Sequence, residues 1–352
     1  MSETKTILDD TARRLFSDRF GPDAMARAAD GEWLDPEWRQ LEALGLVTAL
    51  VSTDPDELPP DPADVLGIVR LAGYHGVALP VAETLTASWL LARSDIAVPE
   101  GPLTFGILRT HAQTSEHGGG DRRLRGFMAR VPWARHAVSI VALALVDDQW
   151  SLCLLDPSRY GVDPATNLAG EPRDDVSVDA QLGQVSVVPA PEGFGPAELR
   201  ATGAAMRALA MAGAVDRVLD MSVAYAGERR QFGRPIGKFQ AVQQNLAVLA
   251  GQAAAATAAS DIAAESFTPN PALLQVAIAK VRTGEAAGLA ASIAHQVHGA
   301  IGFTEEHSLH FFSKRLWSWR DEFGGEAEWN RVIGQEAAAA GPDGLWPLIT
   351  AT

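Results

Sequence analysis

The densest group of chemistry-bearing side chains lies in ERRQFGRPIGKFQ, residues 228–240. Arg229, Arg230 and Arg234 cluster there between two long helical patterns, and a rigid guanidinium at a helix end suits a phosphate or pyrophosphate. Phe232 and Phe239 can pack against a planar ring, and Gln231, Gln240, Gln243 and Gln244 offer amide hydrogen bonds. The same residues also suit a solvated turn, with Arg229 favourably placed at the end of the preceding helix. GRPIGKF is not a phosphate loop: the spacing from Gly233 to Gly237 is too short, and Phe239 follows the lysine where Ser or Thr is needed.

A second group is histidine-rich. His295 and His298 are three apart, as are His307 and His310, with Glu305 and Glu306 between the pairs. Helical spacing could place each pair on one face, but the apolar GAIGF separates them, and neither HExxH nor a Cys ligand is present. Packing or surface histidines are therefore expected, with no metal site. No G-x-S-x-G occurs, and Cys153 lies within an apolar strand pattern where a buried, inert thiol is expected.

The elements that must position these groups fall into three stretches. Residues 1–100 read as helices joined by Pro-rich turns. Asp35 can cap one whose first position is Pro36 and that Gly45 should stop, and Asp61 before Pro62 marks another start. Residues 101–194 read as a small β domain, in which HAVSIVALALV, Asp147-Asp148 and QWSLCLLD form strand, tight turn and strand. The glycines at Gly118–Asp121 read as a plain loop. Residues 195–352 return to long helices. Pro196 opens the first, in which Ala208, Met211, Val215, Val218, Leu219 and Ser222 form one face and Arg207, Asp216, Arg217 and Asp220 much of the rest. The second, about 239–267, carries Val242, Leu246, Leu249, Ala253 and Ala256 on a narrow bundle seam. Thr268-Pro269-Asn270-Pro271 ends it, and a third runs over about 272–298. The fold class is mainly α with a small β domain, in the order helical, β, helical, the last part a bundle of long helices.

Composition narrows the function. The 352 residues include 44 acidic against 29 basic side chains, a formal charge of −15, which argues against a nucleic-acid binder or a protein docked on an anionic membrane. One cysteine and an N-terminus without an apolar signal core point to the cytoplasm. The longest apolar run, Ala137 to Val146, is short of the roughly 20 residues that span a bilayer.

Two long motifs carry a family resemblance. YAGERRQFGRPIGKFQAVQQNLA resembles the acyl-CoA dehydrogenase signature R-x-x-F-G with its following F-Q, and HQVHGAIGFTEEHSLHFFSKR resembles that family's Q-x-x-G-G-x-G-(F/Y)-T. PEWRQLEALGL and LPVAETLTASWLLA resemble its first helical domain, and the resemblance implies the family's architecture: a helical N-terminal domain, a middle β-barrel-like domain and a C-terminal four-helix bundle. The resemblance implies FAD-dependent α,β-dehydrogenation of an acyl-CoA thioester, in which a carboxylate removes the α proton and the flavin accepts the β hydride. It also implies FAD shared across a subunit interface. The adenine and pyrophosphate half would be gripped by Arg229, Phe232, Gln240, Gln296 and Gly299, with Ala300 in place of the usual second glycine.

The residues that should hold this chain's own flavin ring and substrate depart from the pattern. The family's late catalytic Glu falls on Gly324 when aligned through EWNRVIG, or on Phe323 by ungapped counting, and the alternative earlier base position is Gly203. Ala201 and Ala204 stand where some members use an Asp and an Arg near CoA. The Thr-Glu-Pro and Gly-Ser-Asp runs are not recognisable in RTHAQTSEHGGGD, and the G-x-K-x-W run reads Gly126, Met128 and Arg130, with Trp133 displaced. The expected role is therefore the base-lacking subunit of a hetero-oligomeric, tetrameric acyl-CoA dehydrogenase, resembling actinobacterial two-gene enzymes. A homologous partner would carry the catalytic Glu and most of the acyl-CoA site. The alternatives are a self-sufficient dehydrogenase using Glu322 as a relocated base, and a flavin-free scaffold.

Overall fold

The computed structural model describes residues 2–52, 58–110 and 122–350. The expected loop at Gly118–Asp121 and most of RTHAQTSEHGGGD lie outside the described residues. The chain divides into two compact units: residues 1–26, 62–77 and 200–352 in one, and 27–61 and 78–199 in the other. The segment 1–100, expected as one helical domain, is thus distributed between both.

In the helical unit, α1 (Glu3–Arg19), the short α4 (Pro62–Val65) and α5 (Gly67–His75) join a bundle. The bundle consists of α7 (Pro196–Glu228), α8 (Gln240–Glu265), α9 (Leu273–His298), α10 (Leu309–Asp321) and α11 (Glu326–Thr350). The sequence's helix breaks sit where Pro and Gly put them: α7 begins at Pro196, and α9 ends at Gly299, whose φ of 65° only glycine adopts readily. Leu249, Ala253 and Ala256 of α8 are fully enclosed, and Val242 and Leu246 are half-buried, as the seam predicts. By length and composition α8 alone, among the described helices, could cross a membrane.

Helix α7 departs from the amphipathic expectation. Residues 201–215 are buried on every side, because ATGAAMRALAMAGAV offers small apolar groups all round. Two glycines bring α5 and α7 into backbone contact: a Cβ at Gly73 would lie 2.0 Å from the Ala210 carbonyl oxygen, and one at Gly213 would lie 1.8 Å from that of Arg70. Arg207, expected on the polar face, is instead in the interior at 4% exposure.

The second unit holds α3 (Asp35–Ala43), α6 (Val81–Ala92) and two four-stranded sheets. Helix α3 starts at Asp35 itself, with Leu34 at its N-cap, so Asp35 is a first-turn acid and not a side-chain cap. One sheet is ordered β1 (Leu103–Ile107), β4 (Ser139–Val146), β5 (Gln149–Leu155) and β8 (Ser186–Pro189); the other is β2 (Arg109–Thr110), β3 (Arg123–Pro132), β7 (Arg173–Gln181) and β6 (Tyr160–Asp163). The expected hairpin is β4–β5, with Val146 paired to Gln149. Asp147 and Asp148 both take positive φ, 50° and 62°, as a two-residue turn matched to strand twist requires. Ile140, Ala142, Ala144, Cys153 and Leu155 point inward with Val176, Val178 and Ala180 to form the core.

Candidate functional site

The arginine-rich segment folds as a small hairpin between α7 and α8. Strands β9 (Arg230–Gln231) and β10 (Arg234–Pro235) pair antiparallel around Phe232-Gly233. Phe232 has a φ of 48° and is 91% exposed, an unusual backbone for an aromatic residue with no burial to offset it. It meets Phe239 edge-to-face at 6.1 Å, and the Arg234 guanidinium lies 4.3 Å from the Phe239 ring centre. The hairpin is held by main-chain bonds: Arg229 N–H donates to Tyr225 O, and Ile236 N–H donates to Arg229 O, at 2.9 and 2.8 Å. Arg229, Arg230 and Arg234 are exposed, and none has a carboxylate partner among the described residues.

The second motif lies at the same end of the bundle. Ala226 of α7, Ile236 beneath the hairpin and Val297 of α9 form one apolar cluster, with Tyr225, Phe239, Val242, Leu246 and Ile293 packed around it. That cluster fastens the end of α9 to the hairpin. Gln240 at the first position of α8, Gln296 on α9 and Gly299 just after it are all exposed. Three unpaired guanidinium groups, exposed amides and an exposed aromatic ring form a donor set suited to a pyrophosphate joined to a planar ring.

The positions expected to carry the base are occupied differently. Gly203 of α7 faces the Phe323 ring, such that a Cβ at Gly203 would lie 2.3 Å from Phe323 Cδ1. Phe323 has a φ of 56° and is held by its carbonyl, which accepts from Arg200 Nε and from Trp329 Nε1, both at 3.1 Å. Gly324 follows with a φ of 104°, and a Cβ there would lie 2.4 Å from an Arg200 nitrogen and 2.8 Å from Trp329 Nε1. Neither glycine has room for a longer side chain without moving Phe323, Arg200 or Trp329. Ala201 and Ala204 on the same helix are fully enclosed.

Glu322 is not a solvated carboxylate. Its Oε2 accepts from Arg207 Nε at 2.6 Å, with both side chains about 5% exposed. The Arg207 guanidinium also lies 5.6 Å from the centre of the Phe323 ring. Beside this pair, Lys280 of α9 is 1% exposed and donates to the Arg320 carbonyl at 2.5 Å, while Arg320 pairs with Glu326. Burial pushes the Lys280 ammonium down to about 8, against the upward pull of Glu326 and Glu322. Arg207 and Lys280 were not singled out from the sequence as parts of the site, and Phe323 only as a position for the missing base. For Arg207 a signal existed: a lone charge in a helix of small apolar residues has to be paired inside the protein.

In the β unit, Gly126 and Met128 lie on β3, and Arg130 sits in a bulge between Met128 and Val131 with a φ of 54°. Trp133 is buried, also at positive φ, against Trp33 (6.3 Å) and His136 (6.1 Å) of its own unit. Cys153 is fully buried, and burial pushes its thiol up to about 12. The four C-terminal histidines pack among aromatic rings, and among the described residues no three His, Cys, Asp or Glu side chains are grouped to hold a metal ion.

The helical bundle with its two-sheet β unit has the acyl-CoA dehydrogenase fold, and the chain is similar to acyl-CoA dehydrogenases. Residues 200–333 match the acyl-CoA dehydrogenase C-terminal domain. The chain is 28% identical over 316 residues to acyl-CoA dehydrogenase IpdE2 of Mycobacterium tuberculosis, covering 89% of this chain and 91% of the relative. It is 30% identical over 315 residues to acyl-CoA dehydrogenase FadE34 of the same organism, covering 85% of this chain and 41% of that one. Among solved structures, the ChsE4-ChsE5 complex from Mycobacterium tuberculosis superposes with a TM-score of 0.82 at 21% identity, covering 96% of this chain and 98% of the other. A steroid acyl-CoA dehydrogenase, Tcur3481-Tcur3483, gives 0.78 at 22% identity, covering 96% and 99%.

Proposed function

We propose that this chain is the base-lacking subunit of a hetero-oligomeric acyl-CoA dehydrogenase, lending one face of its bundle to FAD held chiefly by a homologous partner. The observation that carries the reading is the closure of both family base positions: Phe323 fills the space over Gly203, and Arg200 with Trp329 fills the space beside Gly324. The nearest carboxylate, Glu322, is committed to Arg207 in a buried pair. A base must meet a substrate proton at hydrogen-bond distance, and a carboxylate clamped by a guanidinium in the interior is poorly placed for that.

On this reading Arg229 and Arg234 neutralise the cofactor pyrophosphate, while Phe232 covers an adenine or ribose face. Gln240 and Gln296 supply amide hydrogen bonds, and Gly299 allows close backbone approach. Bound FAD would supply the hydride acceptor; this chain contributes binding and orientation. The partner carries the catalytic Glu and most of the acyl-CoA site, in a tetrameric assembly. Two structural relatives, the ChsE4-ChsE5 complex and Tcur3481-Tcur3483, each pair two components, which supports a heteromeric arrangement.

The test is purification of the chain alone and together with its partner. Alone it should retain little flavin and show no turnover; together, flavin should be recovered, and Arg229→Ala in this chain should release it while leaving the assembly intact. Full flavin loading and turnover by the chain alone would overturn the reading. Retention of flavin by the Arg229→Ala complex would favour a scaffold role.

A further inference from the structure

The two halves of the proposed cofactor grip stand on different helices, and a ring stack joins them. Tyr225 lies one turn before Arg229 at the end of α7, and His298 lies between Gln296 and Gly299 at the end of α9. Their rings stack with centres 4.5 Å apart and planes 24° apart. His307 lies beside the stacked pair, its ring 4.6 Å from that of His298 at a tilt of 60°, and meets Tyr225 edge-on at 6.1 Å. His298 is 3% exposed.

The hydrogen bonds assign neutral tautomers. His298 Nδ1–H donates to Ala294 O at 2.8 Å, leaving Nε2 as a buried lone pair with no partner among the described residues. His307 Nδ1 accepts from Leu309 N–H at 3.2 Å, so its proton is on Nε2. His295 Nε2 meets Ser313 Oγ at 3.0 Å, leaving its own buried Nδ1 unpartnered, and His310 Nδ1–H donates to His307 O at 2.8 Å. The titratable groups facing His298 are Tyr225 from α7, His295 from α9 and His307 from the segment leading into α10; the turn 299–303 contributes none. Burial first, with the neighbouring imidazoles adding to it, holds His298, His295 and His307 below the usual histidine range; the hydrogen bond to Ala294 O pulls His298 the other way, and no carboxylate among the described residues does so for any of them. A buried imidazole lone pair can be accommodated by water or left bare, whereas a second N–H there would demand an acceptor that the site does not offer.

We propose that neutral His298, stacked on Tyr225, is a positioning residue that holds Gln296 and Gly299 in register with Arg229 and Phe232, so that mild acid releases the grip. The cofactor part of this proposal rests on the shared-FAD reading above. For a histidine held below its unfolded value, the stabilisation is complete above about 6.5 and is lost as pH falls through the lower folded value.

The experiment is hydrogen exchange, corrected for intrinsic pH dependence, on segments 225–236 and 296–303 of the assembled complex at pH 7.5 and 5.5, with flavin content read on the same samples. Wild type should lose protection about tenfold at both segments in acid and release flavin. His298→Phe keeps a stacked ring that cannot charge, and should stay protected and loaded at both pH values. His298→Ala should be exposed and flavin-poor already at pH 7.5. Acid loosening of His298→Phe equal to wild type, or a fully protected His298→Ala, would overturn the positioning role. Exchange that follows the expected pattern while flavin content ignores it would overturn the cofactor reading and leave the tie between the helices standing.

Discussion

Replacing Glu322 by Gln separates a structural carboxylate from a catalytic one. Glu322 and Arg207 are about 5% exposed and joined at 2.6 Å, so the substitution leaves a guanidinium in the interior without its counter-charge. Breaking such a pair from one side costs about 3–5 kcal/mol, and the amide oxygen of Gln, which can still accept from Arg207, puts the expected value near the lower end. For a unit of this size that is on the order of 5–15 °C in unfolding temperature. Turnover of the assembled complex, measured below that temperature, should stay within about twofold. The pair can be removed together as Arg207→Met with Glu322→Leu, which should recover most of the loss, because similar-sized apolar groups often replace a buried pair at no net cost. Differential scanning fluorimetry and steady-state kinetics on the same samples read both quantities. A hundredfold fall in kcat with an unchanged unfolding temperature would refute this account and make Glu322 the base.

Gly213→Ala places a methyl 1.8 Å from the Arg70 carbonyl oxygen, so urea unfolding should show a loss of several kcal/mol or no folded protein, and Gly73→Ala should behave alike. Lys280 sits at about 8 in the folded chain against 10.5 unfolded, so the unfolded state binds more protons between those values and stability should rise over that interval as pH increases. Lys280→Met should flatten that rise in a pH series of urea midpoints. Cys153, enclosed and pushed up to about 12, should react with an aromatic disulfide reagent only at the rate of unfolding, while denatured protein should react at once.

Local chemistry made much of the fold legible in the sequence. The helix starts at Pro62 and Pro196, the break at Pro269 and Pro271, and the Asp147-Asp148 hairpin follow from residues that constrain their own backbone. The Arg229 hairpin was legible as a cluster because its groups are close along the chain. Legibility failed where packing partners are distant in sequence. Periodicity put Arg207 on a polar face of α7, but a helix of alanines has no strong moment, and its burial is set by α5 and by Glu322, 115 residues away. The Phe323 ring over Gly203 depends on a positive φ stabilised by Arg200 and Trp329, which no local pattern signals. His295 and His298 are neighbours on α9 as their spacing suggests, but His307 lies before α10 begins, and the stack of His298 on Tyr225 joins residues some 70 positions apart.

The central claim is that this chain contributes to a cofactor site without completing one of its own. The most direct measurement is the flavin-to-chain ratio of the purified, catalytically active complex, from flavin absorbance and total amino-acid analysis. One FAD for each pair of one such chain and one partner is the predicted result. One FAD for every chain would contradict it, because each chain would then complete a flavin site of its own.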